Sequence, residues 1–213
     1  ISVDIDGDTI VAGGQGNEAA YVFIKPASGW ESTTQDAKLA ASANASSFGA
    51  AVAIANNHIV AGAPATNSGT GNAFIFKRPA TGWTDMVETA TLTAAQGEEN
   101  DDFGRYVDIS DSTVVVSTKP SAPAYIFNQP EEGWQDTTET KYFVQDGFNQ
   151  SAVSGKHCVV GASEAAYFIE NKQFYAISIT DQPDSLPAHC GGTDAIYTVA
   201  GDHINDYKWQ RSS

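Results

Sequence analysis

The stretch from Phe48 to Trp83 reads FGAAVAIANNHIVAGAPATNSGTGNAFIFKRPATGW and decides the fold. Two short apolar runs flank the polar turn Asn56-Asn57, which predicts a tight β-hairpin. A Gly/Ser/Asn loop follows, and a third apolar run then leads to a Gly-Trp corner. The stretch is therefore predicted to form three consecutive antiparallel strands.

The same pattern recurs along the chain with a period of about 50 residues, which is typical of propeller blades and other stacked arrays. A fourth apolar run follows each corner, in DAKLAAS, ETATLTA and ETKYFVQ, and FYAISIT is its counterpart in a shorter fourth copy. A fifth copy is partial and comprises DAIYTVAG and DYKWQ. The period is marked by third-strand phenylalanines and corner tryptophans at Phe23, Phe76, Phe127, Trp30, Trp83 and Trp134.

Four antiparallel strands make a small sheet that cannot bury both of its faces alone, so neighbouring repeats must stack. The sequence predicts an all-β fold, a β-propeller of four-stranded antiparallel blades with about five blade positions, the last of them incomplete. We expect one domain over residues 1–213. Its repeats are predicted at about 1–47, 48–102, 103–147 and 148–183, with a partial repeat at 184–213.

Two short motifs connect this pattern to a known family. Phe48-Gly49, followed after the hairpin by Gly62-Ala63-Pro64, resembles the FG-GAP repeat of integrin α-chain propellers and their secreted relatives. The second repeat carries both halves intact. The third repeat has Phe103-Gly104 but Ser117-Thr118 in place of the second half, and the first and fourth repeats keep degraded copies.

Composition and charge suit a soluble extracellular protein, in which an acidic surface keeps the molecules apart. The formal net charge of −15 disfavours nucleic acid and anionic membranes as partners, because a phosphate backbone would be repelled. No apolar run approaches the roughly 20 residues of a membrane helix, so we expect no membrane insertion. Since Ile1 already opens a strand and no signal peptide is visible, we expect a mature or trimmed product.

The two cysteines, Cys158 and Cys190, are predicted to form a disulfide between adjacent blades. Two free buried thiols are an alternative. A third alternative is zinc, because each cysteine follows a histidine, His157 or His189. Neighbours along a strand point to opposite faces, which makes four converging ligands awkward.

Two glycosylation sequons, Asn44-Ala45-Ser46 and Asn149-Gln150-Ser151, also favour a secreted glycoprotein. Asn44 is predicted to lie in an exposed loop between repeats. Asn149 follows Phe148 directly, and we expect it to be less accessible.

Calcium is the cofactor that the resemblance raises, since integrin-like FG-GAP repeats carry a DxDxDGxxD loop between their first two strands. Here that loop has shrunk to a tight turn, and Asp4, Asp6 and Asp8 come nearest to the pattern. The acidic run from Glu98 to Asp102 is a second, weaker candidate site. A hairpin with solvated carboxylates is the alternative, so no cofactor is expected.

No catalytic motif stands out in the sequence, and the four histidines fall in or near turns. We therefore expect a non-enzymatic module, secreted or at the cell surface, that recognises a protein or glycan through its loop face, as in cell adhesion. One alternative is an architectural subunit of a larger extracellular assembly, in which another chain completes the fifth blade. The other is an enzyme on a propeller scaffold.

Overall fold

A computed structural model describes residues 1–120, 122–139, 141–143, 150–155, 157–161, 166–170, 173–177, 198–199 and 207–208. Its regular elements are strands, apart from a 3₁₀ turn at Gln15–Asn17 and a four-residue turn, α1, at Thr66–Gly69. Among the described residues, no helix is long and apolar enough to cross a membrane. The expectation of an all-β fold is confirmed.

Four sheets are built on the predicted repeat, and each has four antiparallel strands in sequential order. We call these sheets blades 1 to 4. Blade 1 contains β1 (Ser2–Asp6), β2 (Thr9–Gly14), β3 (Ala19–Ile24) and β4 (Ala37–Ala40). Blade 2 contains β5 (Val52–Ala55), β6 (His58–Ala63), β7 (Asn72–Lys77) and β9 (Ala90–Thr93).

The later blades repeat this order. Blade 3 contains β10 (Tyr106–Ser110), β11 (Thr113–Ser117), β12 (Ala124–Asn128) and β14 (Lys141–Phe143). Blade 4 contains β15 (Gln150–Ser154), β16 (His157–Gly161), β17 (Ala166–Glu170) and β18 (Gln173–Ile177). A separate pair, β19 (Thr198–Val199) and β20 (Tyr207–Lys208), lies in the predicted partial repeat.

Two short strands, β8 (Met86–Val87) and β13 (Thr137–Thr138), lie outside this four-strand pattern. Each follows a corner tryptophan and pairs in parallel with the fourth strand of the preceding blade, β8 with β4 and β13 with β9. These pairings were not predicted. Alternating apolar residues reveal long antiparallel strands, whereas two residues pairing across repeats leave no period to detect.

The core consists of layers between blades. The first strands of successive blades contact one another, β1 with β5, β5 with β10 and β10 with β15. Apolar side chains fill each of the three interfaces, for example Val22 and Phe76 between blades 1 and 2, or Ile75 and Phe127 between blades 2 and 3. Neighbouring sheets thus bury the faces that one blade leaves exposed.

The hairpin turns join the first two strands of each blade. Their first residues are Gly7, Asn56, Asp111 and Gly155, all at positive φ between 50° and 57°. In blades 1, 3 and 4, Asp6, Ser110 and Ser154 pair as the last residues of the first strands. Glycine, Asn and Asp tolerate this left-handed conformation best.

Candidate functional site

The two halves of the FG-GAP pattern meet at the interface between neighbouring blades. Gly104 of blade 3 lies against Gly62 of blade 2, and Gly49 of blade 2 lies against Gly13 of blade 1 in the same way. A Cβ atom on Gly62 or Gly13 would overlap the carbonyl oxygen of the facing glycine. The motif therefore permits a close backbone contact that stacks the blades.

Carboxylates on the first strands also join the blades. Asp4 Oδ2 accepts a hydrogen bond from Ile54 N at 2.8 Å, and Asp6 Oδ2 accepts one from Asn56 N. The interface between blades 3 and 4 has the same kind of contact: Asp108 Oδ2 accepts a hydrogen bond from Val153 N at 2.7 Å. Burial raises the pKa of Asp108, although its backbone hydrogen bonds oppose the shift and the charge of Asp4 adds to it.

The predicted calcium ligands on blade 1 contact other groups of the protein. Asp4 and Asp6 accept backbone N–H groups of blade 2, and Asp8 forms an ion pair with Lys25 at 3.3 Å. Within the described part of the chain, no three His, Cys, Asp or Glu side chains are grouped so that they could hold a metal ion. Asp4 and Asp6 therefore act as hydrogen-bond acceptors between blades, and Asp8 belongs to a surface ion pair.

Acidic residues after the corner tryptophans form a second type of link between blades, which we call the clasps (residues 84–88 and 135–139). In the first clasp, Asp85 accepts from Lys38 N and Glu88 accepts from Ser42 N, both at 2.8 Å. In the second clasp, Asp136 accepts a hydrogen bond from Thr91 N and Glu139 accepts one from Ala95 N, both at 2.8 Å. The signal in the sequence is W-x-D-x-x-E, which occurs in two copies and was not predicted to link the blades.

Two loops contact each other beside the interface of blades 2 and 3, and we call them the loop platform: residues 64–71 join β6 to β7 within blade 2, and residues 94–105 join β9 to β10 of blade 3. Backbone N–H groups of the second loop donate to carbonyls of the first, from Asn100 to Ser68 at 3.1 Å and from Asp102 to Gly69 at 2.7 Å. Asn67, Ser68, Asn100 and Asp102 all have positive φ. These constraints hold the exposed polar side chains of the platform in place.

The second predicted calcium site, Glu98 to Asp102, lies in this platform. Asp101 is buried, accepts a hydrogen bond from Glu98 N at 2.8 Å and lies 3.7 Å from Lys119 Nζ. Asp102 pairs with Arg105 at 3.1 Å. Glu98 and Glu99 remain exposed to solvent. Two acids thus maintain the loop, and two are available to a partner.

Cys158 is buried on β16, and burial raises the pKa of its thiol to about 11. Cys190 lies outside the described residues, as does His189, so the disulfide stays a prediction. Alkylation of the denatured protein without reductant, followed by peptide mass spectrometry, would distinguish a Cys158–Cys190 disulfide from two thiols. His157, the neighbour of Cys158, is exposed and stacks on Phe168.

Of the two sequons, Asn44 lies where it was expected. It is exposed in the connection between β4 and β5, where a glycan would meet solvent. Asn149 lies outside the described residues. Glycosylation at both sites stays a prediction.

Comparisons with known proteins support the repeat and the fold. A family model described as FG-GAP repeat matches residues 86–129. This segment runs from β8 into the loop after β12, so it covers the end of the second repeat and the first part of the third, including Phe103-Gly104. The search of curated proteins found no matching sequence.

Solved structures resemble the chain at low sequence identity. The crystal structure of Kluyvelomyces marxianus Hsv2 matches with a TM-score of 0.53 and 11% identity, over 84% of this chain and 54% of that one. The computationally designed Ika4 protein matches with a TM-score of 0.44 and 14% identity, over 85% of this chain and 100% of that one. This chain thus spans about half of the Hsv2 chain (54%). The protein is a β-propeller that carries an FG-GAP repeat.

Proposed function

We propose that this propeller is a non-enzymatic extracellular binding module that recognises a protein or a glycan through its loop platform. The observation that carries the proposal is the rigid connection of the two platform loops, made by backbone hydrogen bonds of 2.7 to 3.2 Å. A preorganised loop loses less conformational entropy on binding than a flexible one does. Loops held by a rigid scaffold commonly carry recognition.

The exposed groups of the platform define the chemistry of the ligand. Asn67, Ser68 and Asn100 offer amide and hydroxyl groups, and Glu98 and Glu99 add negative charge. Such groups form hydrogen bonds with sugar hydroxyls or with the basic side chains of a protein. The inter-blade acids Asp4, Asp85 and Asp108 already accept backbone N–H groups, which favours a structural role over catalysis for them.

Charge reversal at the platform tests this proposal. The double substitution Glu98→Lys and Glu99→Lys should abolish binding to whichever protein or glycan the wild type retains in a pulldown or on a glycan array. The matched control is Glu131→Lys with Glu132→Lys, which changes charge equally at exposed sites on the opposite end of the blades. Equal loss in both variants, or retained binding in the platform variant, would contradict the proposal.

A second candidate function, an architectural subunit of a larger assembly, is favoured by a separate observation. Large apolar side chains on blade 1 are exposed, with Val3 at 66%, Ile5 at 56% and Trp30 at 43%. Contiguous exposed apolar surface marks protein interaction sites. Co-purification of a stoichiometric neighbour from the native source would support this role over the first.

A further inference from the structure

The third repeat departs from the family pattern at the second half of the motif, and the residues found there make specific polar contacts. Strand register aligns residues 117–119 of blade 3 with residues 62–64 of blade 2, which carry Gly-Ala-Pro. Ser, Thr and Lys stand there instead. Ser117 Oγ donates to Ser151 Oγ at 2.8 Å, and Thr118 Oγ1 donates to Pro123 O at 2.6 Å. The third residue, Lys119, bonds to the loop platform.

Lys119 contacts the second platform loop through two different groups. Its backbone N–H donates to Asp101 O at 2.9 Å. Its Nζ donates to Asn100 O and lies 3.7 Å from Asp101 Oδ1. A proline, as at position 64 of blade 2, has neither a backbone N–H nor an ammonium group. The departure from the motif at this position therefore creates all three contacts.

Asp101 connects Lys119 to the exposed carboxylates of the platform. Asp101 is only 8% exposed, and its Oδ2 accepts a hydrogen bond from Glu98 N at 2.8 Å. A buried carboxylate is costly unless it is hydrogen-bonded and its charge is paired, and Lys119 supplies that charge. The contacts thus run from Lys119 through Asp101 to the backbone of Glu98, whose neighbour is Glu99.

The connection between blades 1 and 2 has different residues at both ends of this ion pair. Counted back from Phe48, Ser46 stands where Asp101 stands before Phe103. Ser46 is exposed, and the residue that corresponds to Lys119 is Pro64. Serine and proline are thus both replaced in the next repeat, as expected of two positions that act as one unit.

We infer that Lys119 is a positioning residue of the loop platform, which fixes residues 98–102 so that Glu98 and Glu99 present their carboxylates in one arrangement. The inference rests on the binding function proposed above and names a residue on which that function depends. Lys119 itself follows β11 and lies outside both platform loops. A loop that is already fixed loses less conformational entropy when a partner binds.

Hydrogen exchange measured by mass spectrometry tests this role without a ligand. Lys119→Met keeps the aliphatic stem but loses the ammonium group, so the amides of residues 98–102 should exchange about tenfold faster than in the wild type. Lys119→Arg keeps the charge and the donors and should restore slow exchange. The matched control is Lys25→Met, which removes the ion pair with Asp8 in blade 1 and should leave the platform unchanged. Unchanged exchange in β2 shows that each variant is folded.

Binding measurements separate this inference from the proposed function. Lys119→Met should weaken, by about tenfold, the binding of any protein or glycan that the Glu98→Lys, Glu99→Lys variant loses, and Lys119→Arg should bind like wild type. Unchanged exchange at residues 98–102 in Lys119→Met, or full binding by that variant, would overturn the inference. If the charge-reversed variant binds like wild type, the proposed function is wrong, and the exchange result still decides whether Lys119 positions the loop.

Discussion

Gly62 and Gly104, 42 positions apart in sequence, lie in contact across the interface of blades 2 and 3. The first is the opening glycine of the GAP half of the motif, and the second closes the FG half of the next repeat. Gly104 also has a φ of 94°, which side chains rarely adopt. A side chain on either residue would meet backbone atoms of the facing blade, which explains why both positions are glycine.

Replacing Gly62 by Ala should destabilise the fold by about 1–3 kcal/mol, since the new methyl group overlaps the Gly104 backbone and the blades must separate. Urea denaturation would measure the change. Gly161→Ala is the control, because its methyl group has space, and it should stay within about 0.5 kcal/mol of wild type. A similar loss of stability in both variants would contradict the close contact between Gly62 and Gly104.

The corner tryptophans should differ in energetic weight. Trp83 is 5% exposed and packs between blades 1 and 2, so Trp83→Ala should cost about 3–5 kcal/mol. Trp30 is 43% exposed at the equivalent Gly-Trp corner of the first repeat, and Trp30→Ala should cost less than about 1 kcal/mol. Thermal or urea unfolding of the two variants at one protein concentration compares them. Equal costs would mean that a blade covers Trp30.

The clasps should contribute stability through their carboxylates. Glu88→Ala removes the acceptor of Ser42 N and should cost about 0.5–1.5 kcal/mol in urea denaturation. Gln35, at the corresponding exposed place after Trp30, is the matched control, and Gln35→Ala should change stability little. A larger loss of stability for Gln35→Ala than for Glu88→Ala would show that residues 31–35 of the first repeat also bond to a neighbouring blade.

Asp108 predicts a pH dependence of stability. Its folded-state pKa is raised, chiefly by burial, so the native state binds this proton more tightly than the unfolded state. The stability that Asp108 contributes is thus fully present below the unfolded pKa and is lost as pH rises through the folded value. Asp108→Asn should remove this part of the pH profile in urea denaturation. An unchanged profile would contradict the assignment.

Calcium should leave the melting temperature nearly unchanged, because the hairpin turns of repeats two to four are too short to surround an ion. Asp4 and Asp6 are already engaged by backbone N–H groups, so they too should gain little from the metal. Differential scanning fluorimetry with and without chelator checks this. A fall of many degrees in chelator would show that the integrin analogy extends to the metal.

The sequence predicted most of the fold because the information lies in local patterns. The hairpins around Asn56-Asn57 and the third-strand phenylalanines followed from turn residues and alternation. Contacts between repeats could not be predicted from these local patterns. The exposure of Trp30 depends on which blade lies beside it, and the hydrogen bond from Ile54 to Asp4 joins residues 50 positions apart. Asp4 and Asp6, two of the candidate calcium ligands, accept hydrogen bonds from the backbone of blade 2, a contact that no local pattern indicates.

A crystal structure of the natural protein tests the central claim, a propeller stacked through its FG and GAP glycines, most directly. It should show Gly104 against Gly62, Gly49 against Gly13, and Asp4 bonded to the backbone of Ile54, with the first strands of the blades side by side around one axis. Two sheets packed as a sandwich without a central axis, or facing glycines separated by side chains, would contradict the account.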